Sequence, residues 1–147
     1  MKLSTISRYG YRAVIELAKR GNKGAVSLKE IARAQNIPYR YLENIMARLV
    51  AGGIVESARG RGGGFKLKKD PDKLTIFDVI NTLENTLTPL PCIDDKNTCE
   101  RFETCGARDF LEEAYLAFVN VLKSHTIKEA AEKEKQKIKE ILEKKEV

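Results

Sequence analysis

Residues 27–67 constrain the fold most, because they read as helix, break, helix and hairpin. Ser27-Leu28-Lys29-Glu30 has the pattern of a capping box, in which a hydroxyl and a carboxylate satisfy the first amides of a helix. Ile31 and Ala32 continue the buried side of that short helix. Asn36-Ile37-Pro38 breaks it, since proline fits the first turn of a new helix and not the interior of an old one. A second helix is expected over residues 38–49. Leu42, Ile45, Met46 and Leu49 fall on one stripe, with Arg40, Glu43, Asn44 and Ala47 opposite. Residues 54–57 and 65–67 read as two short strands, joined by a glycine-rich turn carrying Arg59 and Arg61.

This is a helix-turn-helix followed by a basic wing, an arrangement suited to duplex DNA. The second helix fits a major groove, where its early residues face base edges. Arg40 suits a guanine or a phosphate, and Asn44 an adenine or a phosphate. Glu43 accepts from a cytosine amino group and is repelled by phosphates, so it penalises wrong sites more than it adds affinity. Arg59 and Arg61 can enter a minor groove or grip the backbone. A phosphate-binding loop is the poorer interpretation of the glycines, because no Gly-Lys-Ser/Thr and no helix start follow them.

The charge is divided to match. Residues 1–70 hold 15 Lys and Arg against 5 Asp and Glu, whereas residues 71–147 hold 12 against 16, giving the net +6. A basic half that carries the wing is the electrostatic footprint of a nucleic-acid reader, and it predicts steep salt dependence through counterion release. The 147 residues suffice for one core with an appendage. No apolar run is long enough to span a membrane, and no secretory leader pattern follows Met1, so a cytoplasmic protein is expected.

A first helix is expected from Ser4 or Thr5 to Arg20, with Ile6, Ala13, Val14, Leu17 and Ala18 inward. Lys2, Ser4, Thr5 and Arg8 lie at its start, where amides and basic side chains hold phosphates; Tyr9, Tyr11 and Arg12 would do the same or pack. Thr75 and Asp78 cap a helix to about Asn85. Residues 86–104 follow neither a helical nor a strand period. Residues 107–124 form a strong helix with a wide apolar face of Phe110, Leu111, Ala114, Ala117, Phe118, Val121 and Leu122, which reads as a dimerisation helix. Thr126 and Glu129 cap a last helix; Ile127, Ala131, Ile138, Ile141 and Leu142 could pack part of it, but the simplest reading is a solvated helix that frays toward Val147. The expected fold is mainly α with a small β-hairpin wing. A winged helix-turn-helix domain (1–85) precedes a cysteine-bearing loop (86–106), then a dimerisation helix and a charged C-terminal helix (107–147).

Cys92, Cys99 and Cys105 are all the cysteines, with six residues between the first two and five between the last two. Thiols this close in a loop point to a metal or a redox site. Structural zinc favours pairs two to four residues apart, which are lacking, as is Cys-x-x-Cys. Three thiolates on an iron–sulfur cluster, with a fourth ligand from elsewhere, remain open beside three free surface thiols.

The chain resembles the iron–sulfur-sensing winged-helix regulators of the IscR/NsrR type over residues 1–125. The resemblance rests on Met1-Lys2-Leu3-Ser4 with Arg8-Tyr9, on 27–32, on 38–42, and on Leu49 with 52–55. The wing at 57–65, residues 76–80 and the three cysteines complete it. It implies a homodimeric transcription regulator, with Cys92, Cys99 and Cys105 holding a cluster, 2Fe–2S in preference to 4Fe–4S. It implies operator contacts by Arg40, Glu43 and Arg59. Arg8, Ser27, Tyr39, Asn44 and Arg61 complete the candidate DNA set. Some members carry a histidine three residues after the last cysteine, where this chain has Arg108; others use an acidic residue near the N-terminus of the partner subunit, where this chain has Arg8. Glu100, Glu103, Asp109 and Glu112 are the nearest carboxylates, and His125 lies twenty residues beyond Cys105.

Two other functions compete: a thiol- or zinc-sensing regulator without a cluster, and a winged-helix protein-interaction module. An enzyme is not expected, since the sole histidine is isolated and no nucleophile–base pair can be placed. The expected partners are an operator duplex and a second copy, with no membrane and no small-molecule substrate.

Overall fold

The computed structural model describes residues 2–146. In chain order it forms α1 (Thr5–Arg20), α2 (Leu28–Gln35), α3 (Tyr39–Ala51), β1 (Val55–Ala58), β2 (Gly64–Leu67), α4 (Ile76–Leu83), α5 (Pro91–Asp94), α6 (Gly106–Ser124) and α7 (Ile127–Lys145). It is a mostly helical protein with one small antiparallel hairpin.

Local chemistry sets the boundaries. Ser4 caps α1 by accepting from the Ser7 amide at 3.1 Å. Ser27 and Glu30 form the reciprocal box expected of them, as do Thr75 with Asp78 and Thr126 with Glu129. Asn36 ends α2 in the left-handed region at φ 50, a conformation its short polar side chain tolerates. Pro38 then stands at the N-cap of α3, which runs two residues past the expected end, to Ala51. The hairpin pairs Val55 with Leu67 and Ala58 with Gly64, and Val26 adds a bridge to Phe65.

The predicted α3 stripe is the floor of the core. Leu42, Ile45, Met46 and Leu49 are buried with Ala13, Val14, Leu17, Ile31, Ile54, Val55, Leu74, Val79, Leu83 and Ile127. Each large aliphatic side chain in such a cluster contributes about 1.5–3 kcal/mol relative to exposure.

Two expectations change, in the loop at 86–104 and in the last helix. Residues 86–104 are not wholly irregular: α5 and single 3₁₀ turns at Lys96–Thr98 and Phe102–Thr104 divide them. Proline at the start of α5 and the Asp95 carboxylate accepting from the Asn97 amide at 2.9 Å supply the local reasons. On α6, which lies against α4, Val119 is buried, while Phe110, Leu111, Ala114, Ala117 and Val121 stay exposed. The last helix is not simply solvated. Ile127 and Ala131 are buried, and the first half of α7 packs along α1. No helix among the described residues is long and apolar enough to cross a membrane.

Candidate nucleic-acid interface and cysteine loop

Burying Leu42, Ile45, Met46 and Leu49 forces the other face of α3 into solvent. Tyr39, Arg40, Tyr41, Glu43, Asn44 and Ala47 are all exposed there. Among the described residues no hydrogen bond or ion pair engages the side chains of Arg40, Glu43 or Asn44, so they are free to meet a ligand. Tyr41 was not singled out by sequence; it packs edge-on against Tyr9 at 6.1 Å between ring centroids, tying the start of α3 to α1. Helical spacing puts it at the edge of the outer face, about 100° round from Arg40, so periodicity alone gave it no role.

The wing follows α3 directly, and β1 packs on that helix. Gly60 and Gly62 have φ 92 and 71, a region that side chains rarely adopt, so the turn presenting Arg59 and Arg61 requires glycine. Both arginines lie in this exposed tip without an ion pair among the described residues. Lys66, by contrast, pairs across the hairpin with Glu56 at 3.0 Å.

Ser27 is committed to its helix: its hydroxyl accepts from the Glu30 amide at 3.2 Å. Its side chain also hydrogen-bonds the Glu30 carboxylate, so the hydroxyl is spent on the cap. Arg8 is exposed and makes one long contact to Thr5, at 3.4 Å. Arg12 turns inward instead, stacking on Tyr9 and donating to Gln35. Glu84 anchors the start of α1 by accepting from the Ser4 amide at 2.8 Å. Burial works to raise its carboxyl, but hydrogen bonds from Ser7 and Ser4 outweigh that and hold it below the usual range.

The three cysteines sit on successive pieces of one loop. Cys92 is in α5, Cys99 follows the first 3₁₀ turn, and Cys105 is the N-cap of α6. All three are free and half-buried. As donors they suit a thiophilic metal or cluster. They do not gather in this arrangement: among the described residues no three His, Cys, Asp or Glu side chains lie close enough to hold a metal ion. The loop is pinned elsewhere. Arg108 donates to the Phe102 carbonyl at 2.7 Å and to Asp109 at 2.6 Å, with its guanidinium over the Phe102 ring. It is a clasp, unable to act as a ligand, and it occupies Asp109.

The far end of α6 is stitched to the wing's exit. The Ile76 amide donates to the His125 carbonyl at 3.0 Å, and the Ile127 amide to the Leu74 carbonyl at 2.8 Å. His125 also contacts Glu129 at 3.3 Å, which places it far from the cysteine loop in chain and in role.

Residues 3–133 match the family described as "Rrf2: Iron-dependent Transcriptional regulator". The chain belongs to the Rrf2 family. Among its Rrf2 relatives, it is 37% identical to the HTH-type transcriptional regulator CymR of Bacillus subtilis over 131 residues, which is 89% of this chain and 90% of that one. The solved structure of that protein, described as the global cysteine regulator of B. subtilis, superposes with a TM-score of 0.76 over 90% of this chain and 97% of its own, at 36% identity. The HTH-type transcriptional regulator NsrR of B. subtilis is 35% identical over 147 residues, 99% of this chain and 100% of that one. The structure of T. potens IscR gives a TM-score of 0.73 at 31% identity, covering 86% of this chain and 83% of its own. As an Rrf2 protein the chain is a winged-helix, DNA-binding transcription regulator and not an enzyme.

Proposed function

We propose that this regulator binds its operator as a homodimer and that the cysteine loop sets its affinity by holding an iron–sulfur cluster, 2Fe–2S in preference to 4Fe–4S. The observation that carries this reading is the position of Cys105 at the N-cap of α6. Any group held by Cys92, Cys99 and Cys105 is thereby joined directly to the helix whose apolar face the chain leaves uncovered. Phe110 is 75% exposed on that face, with Leu111 and Val121 also exposed. A second copy of α6 is the natural cover, and two-fold symmetry would set two α3 helices against half-sites one DNA turn apart, about 34 Å.

When bound, a cluster supplies a centre that oxidants and nitric oxide alter. The chain's own part is mechanical. Arg108 and Phe102 hold the loop to the first turn of α6, and residues 71–76 hold the last turn to the wing's exit. A change in the loop therefore has a continuous path to the wing.

A thiol-sensing regulator is the second reading, favoured by the ungathered sulfurs and by the similarity to a cysteine regulator. Anaerobic purification with a visible spectrum and iron, sulfide and zinc assays separates the two. Coloured protein with matched iron and sulfide supports the cluster. Colourless, iron-free protein sinks it and leaves the thiols or zinc.

A further inference from the structure

Gln35 is the last residue of α2, and Asn36 then turns the chain into α3. Whatever holds Gln35 therefore holds the angle between the two helices of the reading head. Its side chain is 5% exposed and fully engaged. The amide nitrogen donates to Glu16 at 3.0 Å and to Glu134 at 2.9 Å, while the amide oxygen accepts from Arg12 at 3.3 Å. Arg12 also donates to the Gln35 carbonyl. Lys19 completes the ring, reaching Glu16 at 2.7 Å and Glu134 at 3.0 Å. Glu16 is 3% exposed and is neutralised by Lys19 and Arg20.

Every member of this ring but one belongs to α1 or α2. Glu134 comes from α7, 99 residues beyond Gln35. The start of α7 is bonded to residues 71–76, at the exit of the wing: Lys128 donates from its backbone to Pro71 and pairs through its side chain with Asp72. From Ile127 to Glu134 the helix spans about 10 Å. One short rod thus touches the wing's exit at one end and the turn before α3 at the other.

We infer that Glu134 is a positioning residue for the reading helix: through Gln35 it fixes the turn between α2 and α3, and α7 thereby keeps α3 and the wing in one register for DNA. Removing the Glu134 carboxylate leaves the Glu16–Lys19–Arg20 charges paired, so the core is preserved. Gln35 loses one of two acceptors, and the turn gains freedom. The cost falls on selectivity, which depends on the pose of α3. Affinity for arbitrary duplex depends on charge and is left largely alone. The inference rests on α3 being the DNA-reading helix and is independent of the cysteines.

The test uses the full-length protein and two duplexes of equal length, one selected by the wild type from random-sequence DNA and one unselected. Binding is read by fluorescence anisotropy and folding by circular dichroism. Glu134→Ala is expected to lower the ratio of the two affinities about tenfold, a typical size for coupling between sites. Glu134→Gln keeps an acceptor for both Gln35 and Lys19 and restores the ratio. Glu132→Ala removes the same charge from an exposed position of the same helix and leaves the ratio unchanged. Glu134→Asp keeps the charge but shortens the reach, and it gives the same loss if the alanine variant does not fold. A wild-type ratio in Glu134→Ala or Glu134→Asp overturns the inference alone. A wild type that selects no duplex overturns the placement of α3 on DNA as well.

Discussion

Arg108 covers Phe102, its guanidinium carbon 4.1 Å from the ring centroid, while donating to the Phe102 carbonyl at 2.7 Å. Six residues apart, these two close the segment that carries Cys105. Arg108→Ala should therefore speed amide hydrogen exchange across residues 99–105 while leaving the melting temperature nearly unchanged, since the loop contributes little to the core. Arg108→Lys should behave like alanine, because an ammonium cannot stack and bond bidentately at once. Unaltered exchange in both variants would mean that the loop is held by something other than this clasp.

Gly10 marks where α1 meets α4. A Cβ there would lie 2.1 Å from Leu83 Cδ1 and 3.1 Å from Ile45 Cγ2. Leu83 is 2% exposed and has little room to retreat. Gly10→Val should destabilise the fold by about 2–3 kcal/mol through overpacking, read by urea unfolding. A variant as stable as wild type would show the contact between α1 and α4 to be loose.

The ring around Gln35 gives stability a defined dependence on pH. Burial works to raise the Glu16 carboxyl, but hydrogen bonds from Lys19, Gln35 and Arg20 prevail and hold it below the ordinary glutamate value. A lowered folded value means its contribution is present above the unfolded value and lost as pH falls through the folded one. Burial works to lower the Lys19 ammonium, but its bonds to Glu16 and Glu134 prevail and raise it. That contribution is complete below the ordinary lysine value and lost as pH rises through the raised one. Thermal unfolding of Glu16→Gln should accordingly fall less steeply than wild type on acidification below the glutamate range. Parallel curves would exclude Glu16 as a source of acid sensitivity.

The proposed DNA face would separate positioning from reading. Arg40→Ala should cost about 1–3 kcal/mol on a selected duplex and relax the preference at one base position. Arg59→Ala and Arg61→Ala should each reduce the salt slope of binding by about 1 if the wing grips phosphates. A binding isotherm unaffected by all three changes would return the protein-interaction reading to the front.

The reading head was legible because its signals are local. The box at Ser27 and Glu30, the break at Pro38 and the stripe from Leu42 to Leu49 each act within a few residues. The docking of α7 was legible only in part, through the apolar Ile127 and Ala131 that are indeed buried. Its anchor Glu134 is charged, so it lies outside any apolar stripe, and its partners Lys19 and Gln35 are about a hundred residues away. The apolar face of α6 was read correctly as a pattern, but its exposure within one chain depends on tertiary packing that periodicity does not encode. Arg108 stood out only as a replacement for the histidine some relatives carry; its role as a clasp gave no signal, since bonding a backbone carbonyl requires no particular spacing.

The central claim is that the three cysteines govern DNA binding. The most direct test compares binding of a selected duplex by anaerobically purified protein before and after nitric oxide, for the wild type and for the variant with Cys92, Cys99 and Cys105 all changed to serine. The account predicts a shift of about 5–150-fold in the wild type and none in the folded triple variant. An equal shift in both proteins, or no shift in the wild type, would contradict it.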